Sequence, residues 1–145
     1  MFVVGCAASS PPSPTPISGT VRADGAVNPD IAGRPSPVAV KIYQLRTAGS
    51  FESADFFGLY SNASAVLGPD LVASRDVVVR PGESTRFDEE IDPRTRFVGI
   101  VAGFRDVQNA RWRTVVPVPA KGLSDKVLEV RLNNLAAEAS FVEPN

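Results

Sequence analysis

Short runs in which apolar and polar residues alternate recur along this chain, and proline or glycine closes most of them. That pattern points to a sheet protein built from many short strands. Ile17, Gly19, Val21 and Ala23 alternate with Ser18, Thr20, Arg22 and Asp24. Thr85, Phe87 and Ile91 alternate with Ser84, Arg86, Asp88 and Glu90, and Leu128, Val130 and Leu132 with Glu129 and Arg131. Each run offers one face to a core and the other to water. Residues 96–105 are instead apolar on both faces, which marks a central strand covered from both sides. Gly99 and Gly103 share one face of it and leave room for a bulky neighbour, for which Trp112 on the next strand is the natural candidate. In Arg111-Trp112-Arg113 the two arginines share a face opposite the tryptophan, so the triplet reads as a core tryptophan flanked by solvent-facing arginines.

The remaining segments fit the same plan. Val38 to Leu45 is apolar and β-branched. Residues 71–91 read as a hairpin turning at Arg80-Pro81-Gly82-Glu83. Asn133-Asn134 offers a turn, after which Ala139 to Val142 form a short last strand. Residues 50–67 break the pattern. Ser53 is placed to cap a short helix with Asp55 in its first turn, and Phe56, Leu59 and Tyr60 then share one face. Asn62 caps a second helical turn that Gly68-Pro69 stops after Leu67. This insert is expected to pack over an open end of a sheet. The 145 residues suit one domain with an ordinary core. The expected fold is all-β: an antiparallel two-sheet β-sandwich of seven or eight strands over residues 17–145, with the helical insert at residues 50–67 and a separate segment at residues 1–16.

Composition narrows the chemistry. The chain has no histidine, which removes the commonest general base, the commonest zinc ligand and every nucleophile paired with histidine. One cysteine allows neither an internal disulfide nor a thiolate cluster. A net charge of −1 gives no pull toward nucleic acid. Asp88-Glu89-Glu90 is the only acidic run, but consecutive strand residues face opposite ways and cannot converge on one ion. The expectation is a protein that is not an enzyme, with no metal, no cofactor and no small-molecule substrate.

The amino terminus has its own signature. Met1-Phe2-Val3-Val4-Gly5-Cys6 resembles a bacterial lipobox, in which small residues precede a cysteine whose thiol takes a lipid. Only five residues precede Cys6, fewer than an export signal needs, so the start reads as truncated. Residues 7–16, rich in alanine, serine and proline, follow as an extended tether with nothing to bury. Lipidation at Cys6 is the expected modification. Ala7, where an aspartate is absent, fits export to the outer membrane.

Between the first two strands lies a long loop, residues 25–37, stiffened by Pro29, Pro35 and Pro37. Proline fixes its own φ and restricts the residue before it, so such a loop loses little entropy on binding. Val27 and Ile31 have no evident core face to join. The candidate partner-binding residues are therefore Val27, Asn28, Pro29, Asp30, Ile31, Ala32, Gly33, Arg34 and Pro35. Val27 and Ile31 would serve as apolar anchors, with Asp30 and Arg34 fixing register. Asn28, Pro29, Gly33 and Pro35 would either touch the partner or only shape the turn.

Several stretches, in order, resemble the type VI secretion lipoprotein family TssJ, also called SciN or VasD. They are Asn28-Pro29-Asp30…Gly33-Arg34-Pro35-Ser36-Pro37, Val40…Ile42-Tyr43-Gln44-Leu45, Phe51…Ala54-Asp55-Phe56, Val98-Gly99…Val101-Ala102-Gly103-Phe104-Arg105-Asp106 and Ala110…Trp112-Arg113. The resemblance implies a transthyretin-like β-sandwich on the periplasmic face of the outer membrane, held by a lipid anchor. It also implies binding to the periplasmic C-terminal domain of the inner-membrane protein TssM, within a TssJ–TssL–TssM complex, through the loop that maps onto Val27 to Pro35. The alternative is another lipid-anchored sandwich, a pilotin-like chaperone or a carbohydrate-binding module. A sugar binder would carry exposed aromatics on one platform.

Overall fold

The computed structural model describes residue 5 and residues 12–144. The expected lipid acceptor Cys6 and residues 7–11 of the expected tether lie outside the described residues. Eight strands form: β1 (Thr15–Ala23), β2 (Val38–Leu45), β3 (Leu71–Val79), β4 (Ser84–Ile91), β5 (Phe97–Ala102), β6 (Arg113–Pro117), β7 (Val127–Asn133) and β8 (Ala136–Val142). Three short helices, α1 (Gly49–Ser53), α2 (Phe56–Ser61) and α3 (Ala63–Leu67), make up the insert. Thr15 and Pro16, expected in the tether, already belong to β1. No helix among the described residues is long and apolar enough to cross a membrane.

The strands form two four-stranded sheets packed face to face, ordered β4-β1-β7-β8 and β3-β2-β5-β6. One expectation is corrected here, and one is refined. Residues 71–91 are not a hairpin, because β3 pairs with β2 in one sheet and β4 with β1 in the other. The turn at Arg80–Glu83 hands the chain between layers, and it is tied to the end of β1 by hydrogen bonds from Gly82 N to Asp24 O and from Ala23 N to Glu83 O, both 3.0 Å. In addition, β1 and β7 run parallel, so the first sheet is mixed. A parallel pair needs a long crossover, and here the whole second sheet lies between the two strands in sequence.

The alternation read from sequence becomes burial. Ile17 and Val21 of β1, Val40 and Ile42 of β2, Val98 and Ile100 of β5, and Leu128, Val130 and Leu132 of β7 fill the space between the sheets. The outer face of the second sheet carries another apolar cluster, Tyr43, Leu45 and Val101, roofed by Phe51, Leu59 and Leu67 of the insert. This roof explains why β5 is apolar on both faces. The neighbour for which Gly99 leaves room is Phe51, not Trp112: a Cβ on Gly99 would stand 2.7 Å from the Phe51 ring. Gly103 is opposed by Tyr60 in the same way. Trp112 packs edge-on against Phe56 instead, with ring centroids 5.1 Å apart.

Local capping differs from expectation too. Asp55, not Ser53, is the cap that starts α2, its carboxylate accepting from Gly58 N at 2.8 Å. Ser53 is the last residue of α1. Nor does Arg113 face solvent freely. Its guanidinium donates to Phe51 O at 3.0 Å and Ala54 O at 2.6 Å, so it supplies partners for carbonyls at the end of α1. The Tyr43 hydroxyl donates to Leu59 O at 2.6 Å, and burial, aided by the charge of Asp76, pushes its pKa up to about 12, which keeps it a donor.

Candidate protein-binding site

The loop between β1 and β2 leaves the sandwich at the end opposite Thr15. Nine residues of β1 separate the two, about 30 Å at the rise of an extended strand. The stem of the loop is knit into the fold. Val27 is fully buried in the core between the sheets, so it is a foundation of the loop and not an exposed anchor. Its carbonyl accepts from Ser36 N at 3.1 Å, closing the stem.

Asn28 is also buried, and its backbone lies in the left-handed region at φ 52°. Asparagine tolerates that conformation better than most side chains. Its amide Nδ2 donates to Pro37 O at 2.9 Å, its Oδ1 accepts from Arg105 N at 2.8 Å, and its backbone N donates to Asn134 O at 2.8 Å. One side chain and one amide thus join three loops at this end of the molecule. Buried polar groups of this kind are costly to leave unpaired. Asn28 shapes the loop from inside, the second of the two roles expected for it, and its buried side chain is not presented as a contact surface.

Above the stem the chain makes a small closed turn. Asp30 N donates to Arg34 O and Gly33 N to Asp30 O, both at 2.8 Å, with Gly33 at φ 81°. The Asp30 carboxylate accepts from Ala32 N, Arg34 N and Arg34 Nε at 2.9, 2.9 and 3.1 Å. This is an Asx-type turn, in which a short side chain stands in for backbone partners. The Arg34 backbone hydrogen bond is the largest cause that lowers the Asp30 pKa, opposed by desolvation and aided by Ala32, the Arg34 side chain and Arg105. A carboxyl held below its unfolded value supports the turn fully above that value and loses its effect as pH falls through the lowered one. Protection of the Ala32 and Arg34 amides from hydrogen exchange should therefore stay constant from neutral pH down to about pH 4, then decline. Measurement by NMR checks this, and unchanged protection in stronger acid would remove Asp30 from the account.

The result of this bracing is that Ile31 stands clear of everything, at 109% relative exposure, with Ala32, Gly33, Arg34 and Pro35 also exposed around it. Pro29 and Asp30 are half-buried on the flank. They and Ile31 face Arg105 and Asp106 of the β5–β6 connection across a cleft of about 430 Å³. Arg105, Asp106 and Asn134 were not among the residues expected at this site. No local signal pairs them with Asn28, since Arg105 lies 77 positions away.

The family described as Type VI secretion lipoprotein (VasD, EvfM, TssJ) matches residues 15–135. The chain belongs to that family. This type VI secretion lipoprotein is similar to the T6SS lipoprotein TssJ1 from Pseudomonas aeruginosa: 33% identity, TM-score 0.82, with 91% of this chain and 99% of that one covered. It is similar to a chain of a structure described as a type VI membrane complex, at 30% identity and a TM-score of 0.74, covering 88% of this chain and 98% of that one. A chain in a structure described as the T6SS protein TssM C-terminal domain (869-1107) from EAEC also matches, at 30% identity and a TM-score of 0.64, covering 89% of this chain and 98% of that one. No curated protein matches. The secretion lipoprotein is thus a two-sheet β-sandwich of its family's kind, with a projecting, internally braced loop at one end.

Proposed function

We propose that this lipoprotein is held by a lipid on Cys6 at the periplasmic face of the outer membrane, and that it binds the periplasmic C-terminal domain of TssM through the tip of the β1–β2 loop, within a TssJ–TssL–TssM complex. The observation that carries the reading is Ile31, an isoleucine presented to solvent on a turn that the fold goes to some length to hold rigid. An apolar side chain on a preorganised turn loses little freedom when it is covered, which favours tight and specific contact with another protein.

Two further points support it. The matched chain in the TssM structure is almost wholly covered by this one, whereas a domain of residues 869–1107 is far longer than the aligned segment. That mismatch in length supports a second chain of this lipoprotein's kind beside TssM in that structure. The strand β1 also begins near the expected anchor and ends at the loop, so the loop points away from a membrane that holds the amino terminus. Eight residues of tether between Cys6 and Thr15 allow about 25 Å of spacing. Several acyl chains, at about 0.8 kcal/mol per buried CH₂, make that attachment stable where a single chain would be marginal.

Calorimetric titration of the chain with the periplasmic domain of TssM from the same secretion system tests the contact. A saturable one-site isotherm is expected, and absence of binding would refute it. Mass spectrometry of protein extracted from native membranes tests the anchor, with acylation on Cys6 the expected result.

A further inference from the structure

We propose that the docking surface has a second wall: the cleft between the loop tip and Arg105–Asp106 seats an apolar side chain of the partner, with a partner carboxylate beside it reaching Arg105. This rests on the docking role proposed above and adds to it the chemistry that the partner must present.

The cleft is held open by bonds and not by chance. Asn28 Oδ1 accepts from Arg105 N at 2.8 Å, so the two lips are fixed to one buried side chain. One lip is formed by Pro29, Asp30 and the fully exposed Ile31, whose apolar side chain offers the contact surface. The cleft's volume, about 430 Å³, has room for a large side chain and part of its neighbour. The charges around it are unequal in availability. The Asp30 carboxylate is engaged by Ala32 N, Arg34 N and Arg34 Nε. The Asp106 carboxylate accepts from Asn109 Nδ2 at 2.9 and 3.1 Å. Arg105, by contrast, is exposed, and among the described residues it forms none of the ion pairs. Arg105 lines the cleft opposite Pro29 and Ile31. Arg34 is 80% exposed while paired through one nitrogen only. A partner approaching Ile31 therefore meets an apolar knob on one lip of the cleft and, on the other, an exposed guanidinium that takes part in none of these ion pairs. Complementary charge at such a rim steers encounter and fixes register.

The test titrates the TssM periplasmic domain with wild type, Arg105→Glu, Arg105→Gln and Arg105→Lys at low and high salt. Arg105→Glu is expected to weaken binding on the order of tenfold, Arg105→Lys to bind nearly as wild type, and Arg105→Gln to flatten the salt dependence. Thermal midpoints should not move, because only an exposed side chain changes and the Arg105 amide keeps its bond to Asn28. If Arg105→Glu binds as wild type while Ile31→Asp does not, the second wall is refuted and the docking role stands. If wild type itself fails to bind, the docking role falls and takes this inference with it.

Discussion

Replacing Ile31 with aspartate is expected to weaken binding to the TssM periplasmic domain by well over tenfold, and to leave the thermal midpoint within error of wild type. The two halves of that expectation have separate causes. A buried anchor at the centre of an interface contributes roughly 2 kcal/mol or more, which is about thirtyfold in affinity, and an aspartate there adds an unpaired charge that must be desolvated. Stability should not respond, because the Ile31 side chain touches nothing in the free protein and stands at 109% exposure. The turn beneath it is held by Asp30 and by backbone bonds that the substitution leaves in place. Titration and thermal unfolding on one preparation check both halves. Equal affinity for mutant and wild type would remove the tip from the interface.

The second large effect concerns stability alone. Phe51→Ala should destabilise the domain by about 3–5 kcal/mol, the range for truncating a buried aromatic, and lower the midpoint by roughly 10 °C or more. Phe51 is fully buried, and its ring atoms are the nearest neighbours that a Cβ on Gly99 would meet. Removing it leaves a void against bare backbone that a glycine cannot help to fill. It also loosens α1, whose end carbonyls Arg113 holds. Phe57→Ala is the matched control, since that ring is 72% exposed and its loss should change the midpoint little. Denaturant or thermal unfolding of the pair decides it. Similar midpoints would show that the insert is an appendage and not part of the core.

These two residues also mark how far the sequence alone could be read. Period-two alternation located the strands well, because each face of a sandwich strand meets a different solvent, as Leu128, Val130 and Leu132 show against Glu129 and Arg131. The exposed Ile31 was legible for the converse reason: an apolar residue among prolines and polar residues had no face to join. Val27 looked the same by that criterion, yet it is buried. Its burial depends on where the two sheets end in space, and residue spacing carries no record of that. Asn28 was ambiguous for a related reason. Its three partners come from residues 37, 105 and 134, and no local pattern announces a bond across such separations. The assignment of β3 and β4 to different sheets escaped for want of any local difference between a hairpin turn and a turn that crosses layers. Gly99 correctly announced a close neighbour, but the better of two aromatic candidates depended on the path of the insert.

The placement of β1 has a consequence under load. It lies between β4 and β7, paired with β4 over Thr15–Arg22 and with β7 over Ser18–Ala23, with its amino end at Thr15 and the loop following Ala23. Ladder hydrogen bonds run across a strand, so a pull along β1 shears two ladders at once. Peeling an edge strand would instead break one bond after another. If lipid holds one end of this strand and a partner the other, traction passes through the part of the first sheet most able to resist it, and the rest of the sandwich need bear none.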